Sequence, residues 1–147
     1  MLTENNNLTW DDFDKLSRKI YQEIIKSKVP VDSIIGIARG GLFLSGFLAY
    51  QLSIKKLYII NTQLYSNKKM ISPKILHYPK EVKLNHVLVV DDILDTGSTY
   101  YLLKDLLKQI AKKSYWAVLI DKGKSNISLD FTGHKLNRDI WVEFPWN

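Results

Sequence analysis

The stretch His86-Val87-Leu88-Val89-Val90-Asp91-Asp92-Ile93-Leu94-Asp95-Thr96-Gly97-Ser98-Thr99 decides how this chain is read. Residues 87–90 are apolar and mostly β-branched, the pattern of a buried strand. Two adjacent carboxylates, Asp91 and Asp92, then fall at the strand's C-terminal end. In an open α/β sheet that is the edge where ligands bind. A short hydroxyl-rich turn follows, and after it a helical pattern. Backbone N–H groups and hydroxyls at a helix N-terminus suit a phosphate. Paired carboxylates suit ribose hydroxyls or Mg2+, and they are costly in a core without a partner. The stretch therefore reads as a site for a sugar phosphate, with residues 96–99 around the phosphate and Gly97 allowing close backbone approach. A receiver domain also opens with a Val-Leu-Val-Val-Asp-Asp run. There the acidic pair lies near the N-terminus and the phosphorylated Asp ends a later strand; here the pair lies past mid-chain and only Asp121 ends a later strand.

The chain has 147 residues, enough for one domain with a full hydrophobic core. Its lack of cysteine excludes disulfides, a thiol nucleophile and Cys-ligated zinc. No apolar run approaches a membrane span, and residues 1–7 are polar, unlike a signal peptide. A cytoplasmic location is expected. The net charge of +6 is carried almost wholly by lysine, with Arg18, Arg39 and Arg138 the only arginines. That balance suits an anionic substrate such as a pyrophosphate, and it would also suit nucleic acid. The lysines are scattered without a basic-aromatic stripe, so a solvated surface accounts for most of the excess and a nucleic-acid partner is not expected.

Around the central stretch the pattern alternates. Thr9 and Asp12 stand in capping-box positions, and Phe13, Leu16, Ile20 and Ile24 follow at helical spacing, so residues 10–27 are expected to be an amphipathic helix. Residues 33–38 read as a buried strand, Arg39-Gly40-Gly41 as a turn, 42–52 as an apolar helix and 57–62 as a second strand. Residues 63–84 are polar and aperiodic, long enough for a functional loop. The third strand is 87–90, the next helix carries Leu102, Leu103, Leu106, Leu107 and Ile110, and the fourth strand is 115–120. Residues 122–139 read as irregular and 140–146 as a short apolar tail. The expected fold is one α/β domain over 1–147, a parallel sheet with helices on both faces.

The segment 87–99 resembles the phosphoribosyl-pyrophosphate signature of type I phosphoribosyltransferases. Residues 34–41, ending in Arg39-Gly40-Gly41, resemble that family's pyrophosphate loop, where the dipeptide bond Arg39–Gly40 is often cis. The tail Trp141-Val142-Glu143-Phe144-Pro145-Trp146 resembles the Trp-Ile-Glu-x-Pro-Trp segment of the bacterial xanthine-guanine branch, and Thr9-Trp10-Asp11 echoes the same branch. The resemblance implies that Arg39, Gly40 and the whole run Asp91, Asp92, Ile93, Leu94, Asp95, Thr96, Gly97, Ser98 and Thr99 bind phosphoribosyl pyrophosphate. It makes Asp92, with Asp91, the expected contact of Mg2+. Asp95 at its point of the loop resembles 6-oxopurine enzymes, where it lies near N7 of the base and is the general base. Lys122 would donate to O6, Trp141 would stack on the purine, and the backbone of Val142 would meet the base edge. Relatives often have Pro after that lysine, whereas this chain has Gly123. The loop 63–84 would be a flexible lid forming a small hood with the tail, with Lys68, Lys69 or Lys74 near the leaving pyrophosphate. A homo-oligomer is implied, dimer or tetramer.

The expected activity is transfer of the 5-phosphoribosyl group to N9 of guanine, xanthine or hypoxanthine in purine salvage. The rival expectations are a non-catalytic nucleotide- or RNA-binding regulator of the same fold and transfer to another base.

Overall fold

The computed structural model describes residues 6–66 and 69–147. The first helix, α1 (Trp10–Ser27), begins in the expected capping box. Thr9 Oγ1 accepts from the Asp12 N–H at 3.1 Å, and the Asp12 carboxylate accepts from the Thr9 N–H at 3.0 Å. Leu16, Ile20 and Ile24 form its buried stripe. Then come β1 (Ser33–Ala38), α2 (Leu42–Gln51), β2 (Leu57–Ser66), β3 (Lys69–His77), β4 (Leu84–Leu94), α3 (Ser98–Ile110), β5 (Ala111–Asp121) and β6 (Phe131–Lys135).

The strands form one six-stranded sheet in the order β3-β2-β1-β4-β5-β6, parallel except for β3. The central strands are apolar without alternation because both faces are covered. Ile34, Leu88 and Val90 pack with Leu16, Ile20, Leu44 and Leu48 beneath α1 and α2. Ile35, Ile37, Val87 and Val89 pack with Leu103 and Leu107 of α3 on the opposite face. From β1 the chain moves outward to β2, and β4 returns on the other side of β1. The order therefore reverses between β1 and β4, and a crevice opens there beyond their carboxyl ends.

Three parts differ most from the sequence expectation, besides a β5 that begins at Ala111 rather than at 115. Within 63–84, a segment read as a loop, β2 runs on to Ser66 and β3 pairs with it antiparallel, so the region is a hairpin at the sheet's edge. Its exposed polar residues give no alternation, and Pro73 is tolerated because β3 is an edge strand. Of the candidate pyrophosphate contacts, Lys68 lies outside the described residues, and Lys69 and Lys74 are exposed on the hairpin. Second, 122–139 contains β6, a short edge strand hidden by its composition. Gly133 sits where a Cβ would meet the Leu119 carbonyl at 2.5 Å. Third, β4 continues through Asp91, Asp92 and Ile93 to Leu94, four residues beyond the apolar run.

Gly41 ties the first turn to the sheet. A Cβ there would lie 2.3 Å from the Val90 carbonyl oxygen and 2.8 Å from that of Ile37. Both obstacles are backbone, so Gly41→Ala is expected to lower unfolding free energy by about 1–3 kcal/mol; urea denaturation measures it, and an unchanged midpoint would contradict this packing.

Candidate active site

The carboxyl ends of β1, β4 and β5 meet the tail around a cleft of about 340 Å³. Its wall includes Gly40, the whole run from Asp91 to Thr99, Lys122, Trp141 and Val142. Of the residues expected to bind phosphoribosyl pyrophosphate, the base or the metal, Arg39 is not part of that wall, and neither are the hairpin lysines Lys69 and Lys74. Arg39 is exposed on the turn after β1. The cis peptide bond of this turn is Ala38–Arg39, one residue before the expected Arg39–Gly40.

Asp91 and Asp92 are half-buried at the end of β4, and Asp91 Oδ1 accepts from the Asp92 N–H at 2.9 Å. Burial pushes the Asp91 carboxyl well above the usual aspartate range, and the neighbouring Asp92 charge adds to the effect. Burial raises Asp92 as well, partly offset by hydrogen bonds that favour its charged form. Among the described residues neither carboxylate forms an ion pair with a lysine or arginine. Gly40 packs directly on Asp92; a Cβ on Gly40 would sit 2.1 Å from Asp92 Oδ2. The turn after β1 and the acidic pair are thus one packed unit.

Beyond the pair the chain turns through Asp95 and Thr96 into α3. Gly97 is the N-cap, with φ +91, and it provides no side-chain cap. The first amides of α3 have no intrahelical acceptor, and none receives a capping side chain. Thr96 Oγ1 and Ser98 Oγ instead share a hydrogen bond of 2.9 Å. The helix N-terminus therefore presents donors and a positive dipole end to the cleft. A group of three or more metal-ligand side chains is absent among the described residues. Two carboxylates alone suit a cation that keeps waters and takes its other ligands from a phosphorylated substrate.

Asp95 faces the end of β5. Lys122, 5% exposed, donates from Nζ to Asp95 Oδ2 at 3.1 Å, and its backbone N–H donates to the Leu94 carbonyl at 3.0 Å. The two residues assigned separately to the base are thus paired with each other. No local pattern marks Lys124, whose Nζ is 3.1 Å from Asp95 Oδ1, or Asp139, which reaches both lysines. Their link requires the turns after β5 and β6 to meet, which local periodicity does not report.

The tail combines core packing and display. Val142 and Phe144 are buried, whereas Trp141 is 73% exposed at the cleft and donates from Nε1 to Glu143 at 3.0 Å. Trp146 stacks on Phe43 at 4.6 Å, and Glu143 exchanges backbone hydrogen bonds with Asn6 and Leu8. The alternation pins the strip while leaving the Trp141 ring free. Thr62, Leu64, Tyr100, Trp116 and Asn147 also line the cleft; nothing in their local sequence marked them.

The upward shift of Asp91 means that the ligand-free fold loses stability as pH rises through and above the ordinary aspartate range. Asp91→Asn keeps the acceptor for the Asp92 N–H and removes one of the two like charges. It should raise the melting temperature of the ligand-free protein at neutral pH by a few degrees; a lower melting temperature would show that the pair stabilises the free fold.

Residues 4–147 match the phosphoribosyl transferase domain family. A xanthine-guanine phosphoribosyltransferase of Nitratidesulfovibrio vulgaris is 26% identical over 140 residues, spanning 95% of this chain and 83% of the relative. The crystal structure of a purine phosphoribosyltransferase from Pyrococcus horikoshii superposes with a TM-score of 0.81 at 28% identity, covering 96% of this chain and 92% of the other. The Helicobacter pylori xanthine-guanine-hypoxanthine phosphoribosyltransferase gives 0.77 at 27% identity, with 95% and 92% covered. With the sheet order, the acidic pair and the uncapped helix already in place, these matches identify the chain as a member of the phosphoribosyl transferase domain family, a type I phosphoribosyltransferase similar to the xanthine-guanine enzymes.

Proposed function

We propose that this enzyme transfers the 5-phosphoribosyl group of phosphoribosyl pyrophosphate to N9 of a 6-oxopurine, releasing pyrophosphate, in purine salvage. One observation carries the reading. The acidic pair, the uncapped N-terminus of α3, the Asp95–Lys122 pair and the Trp141 ring converge on a single cleft. The relatives named for xanthine, guanine and hypoxanthine support the same substrate class.

In this reading the amides and hydroxyls of residues 96–99 hold the 5-phosphate, and Ile93 and Leu94 carry the chain from the ribose to that turn. Asp91 and Asp92 accept from the ribose hydroxyls. They would also hold Mg2+, which would supply positive charge against that of the departing pyrophosphate. Gly40 offers its backbone N–H to that group, and the exposed Arg39 guanidinium meets it from outside the cleft. The C1–O bond to pyrophosphate breaks ahead of attack by N9, so catalysis is chiefly positioning and electrostatic stabilisation. The Asp95 carboxylate accepts the proton that the base gives up, the Lys122 ammonium donates to O6, and Trp141 covers the ring.

No helix among the described residues is long and apolar enough to cross a membrane. The reading places the enzyme in the cytoplasm. It also makes it a homo-oligomer, with the exposed Leu42, Phe43 and Tyr50 of α2 available as contact surface.

A pyrophosphate-release assay with guanine, xanthine, hypoxanthine and adenine tests the proposal. Release with at least one 6-oxopurine, and not with adenine, is expected. Asp95→Ala should lower kcat by about a hundredfold or more while binding of phosphoribosyl pyrophosphate changes little. Absence of release with every base, together with tight salt-dependent RNA binding, would favour a regulator instead.

A further inference from the structure

Lys122 is engaged before any base arrives. Its Nζ lies 3.1 Å from Asp95 Oδ2 and 3.6 Å from Asp139 Oδ1. Two residues on, Lys124 spans the same two carboxylates, at 3.1 Å from Asp95 Oδ1 and 3.1 Å from Asp139 Oδ1. The four side chains close a ring of alternating charge. The side chain of Lys122 is 6% exposed and forms the inner member; that of Lys124 is 33% exposed and forms the outer one. The ring joins three separate segments: the turn after β4, the turn after β5, and the stretch after β6 that runs into Trp141. Two ammoniums balance two carboxylates, and each lysine reaches both of them.

We infer that Lys124 and Asp139 are positioning residues: Lys124 ties Asp95 to Asp139, so that Lys122 can turn to an incoming base while the Trp141 strip stays fixed. The inference rests on the purine reading of the cleft for the part played by Lys122. With Lys124 in place, Lys122 can leave its carboxylates without stripping either of them of a cation. Without Lys124, the same movement leaves Asp95 and Asp139 unpaired, and Lys122 is held back. The outer pair is charged across the neutral range: Asp139, then Asp95, raises the Lys124 ammonium, and Lys124 in turn lowers the Asp139 carboxyl. Exposed ion pairs contribute little to folding, so the consequence lies in base binding rather than in stability.

The test compares Lys124→Ala, Lys124→Arg, Asp139→Asn and the Lys124→Ala/Asp139→Asn double variant with the wild type. For Lys124→Ala, KM for the purine base should rise about three- to tenfold, with kcat, KM for phosphoribosyl pyrophosphate and melting temperature near wild type. Lys124→Arg should restore the base KM. The double variant should be no worse than either single one, because both break the same tie. In ligand-free protein, hydrogen exchange at residues 136–141 should be faster in Lys124→Ala. An unchanged base KM, equal rises in both KM values, or unchanged exchange would overturn the inference. If the wild type transfers to no purine, the purine reading falls, and the exchange result alone then decides the tie.

Discussion

Two adjacent carboxylates at the end of a central strand, paired with no lysine or arginine among the described residues, set the terms for the rest of this structure. Asp91 and Asp92 lie where the strand order reverses, so the flanking strands cannot close over them. Burial and mutual repulsion work against their ionisation. The surrounding chain holds them there nonetheless. The Asp92 N–H donates to Asp91, Gly40 yields the volume that Asp92 occupies, and Gly41 seats the turn against the carbonyl of Val90. Sites that bind charged ligands often retain such uncompensated groups at a cost to stability, because the ligand supplies the missing charge.

Among the described residues the acidic side of the cleft has no ion pair with a lysine or arginine, whereas the opposite side is balanced within itself. Asp95 has two lysines, and both lysines reach Asp139. In the proposed reading a charged donor with a metal would sit beside the first, and a near-neutral heterocycle beside the second. The tail completes the second side by alternation, with Val142 and Phe144 buried and Trp141 left outward. Core packing thus fixes the strip, and the exposed ring is free for a ligand.

Much of this was legible in the sequence, for identifiable reasons. The buried strands show as unbroken apolar runs because helices cover both faces, and α1 shows as spacing plus a capping box. The acidic pair was visible because two carboxylates after such a run have no structural explanation. The edges were not legible. The β2–β3 hairpin is rich in polar residues and β6 is a short strand with Phe131 as its one apolar side chain, so no apolar alternation marked them, and β4 outran its apolar residues because its end faces the cleft rather than the core. Resemblance supplied the place of Lys122 and Trp141. It could not supply Lys124 or Asp139, whose meeting depends on how two turns from different strands come together.

The most direct measurement is a crystal structure of the enzyme with phosphoribosyl pyrophosphate and Mg2+. The expected result is the 5-phosphate against the amides of residues 96–99, with the ribose hydroxyls and the metal at Asp91 and Asp92. A donor bound elsewhere, or an acidic pair left without cation or ribose in the presence of both ligands, would contradict the central claim.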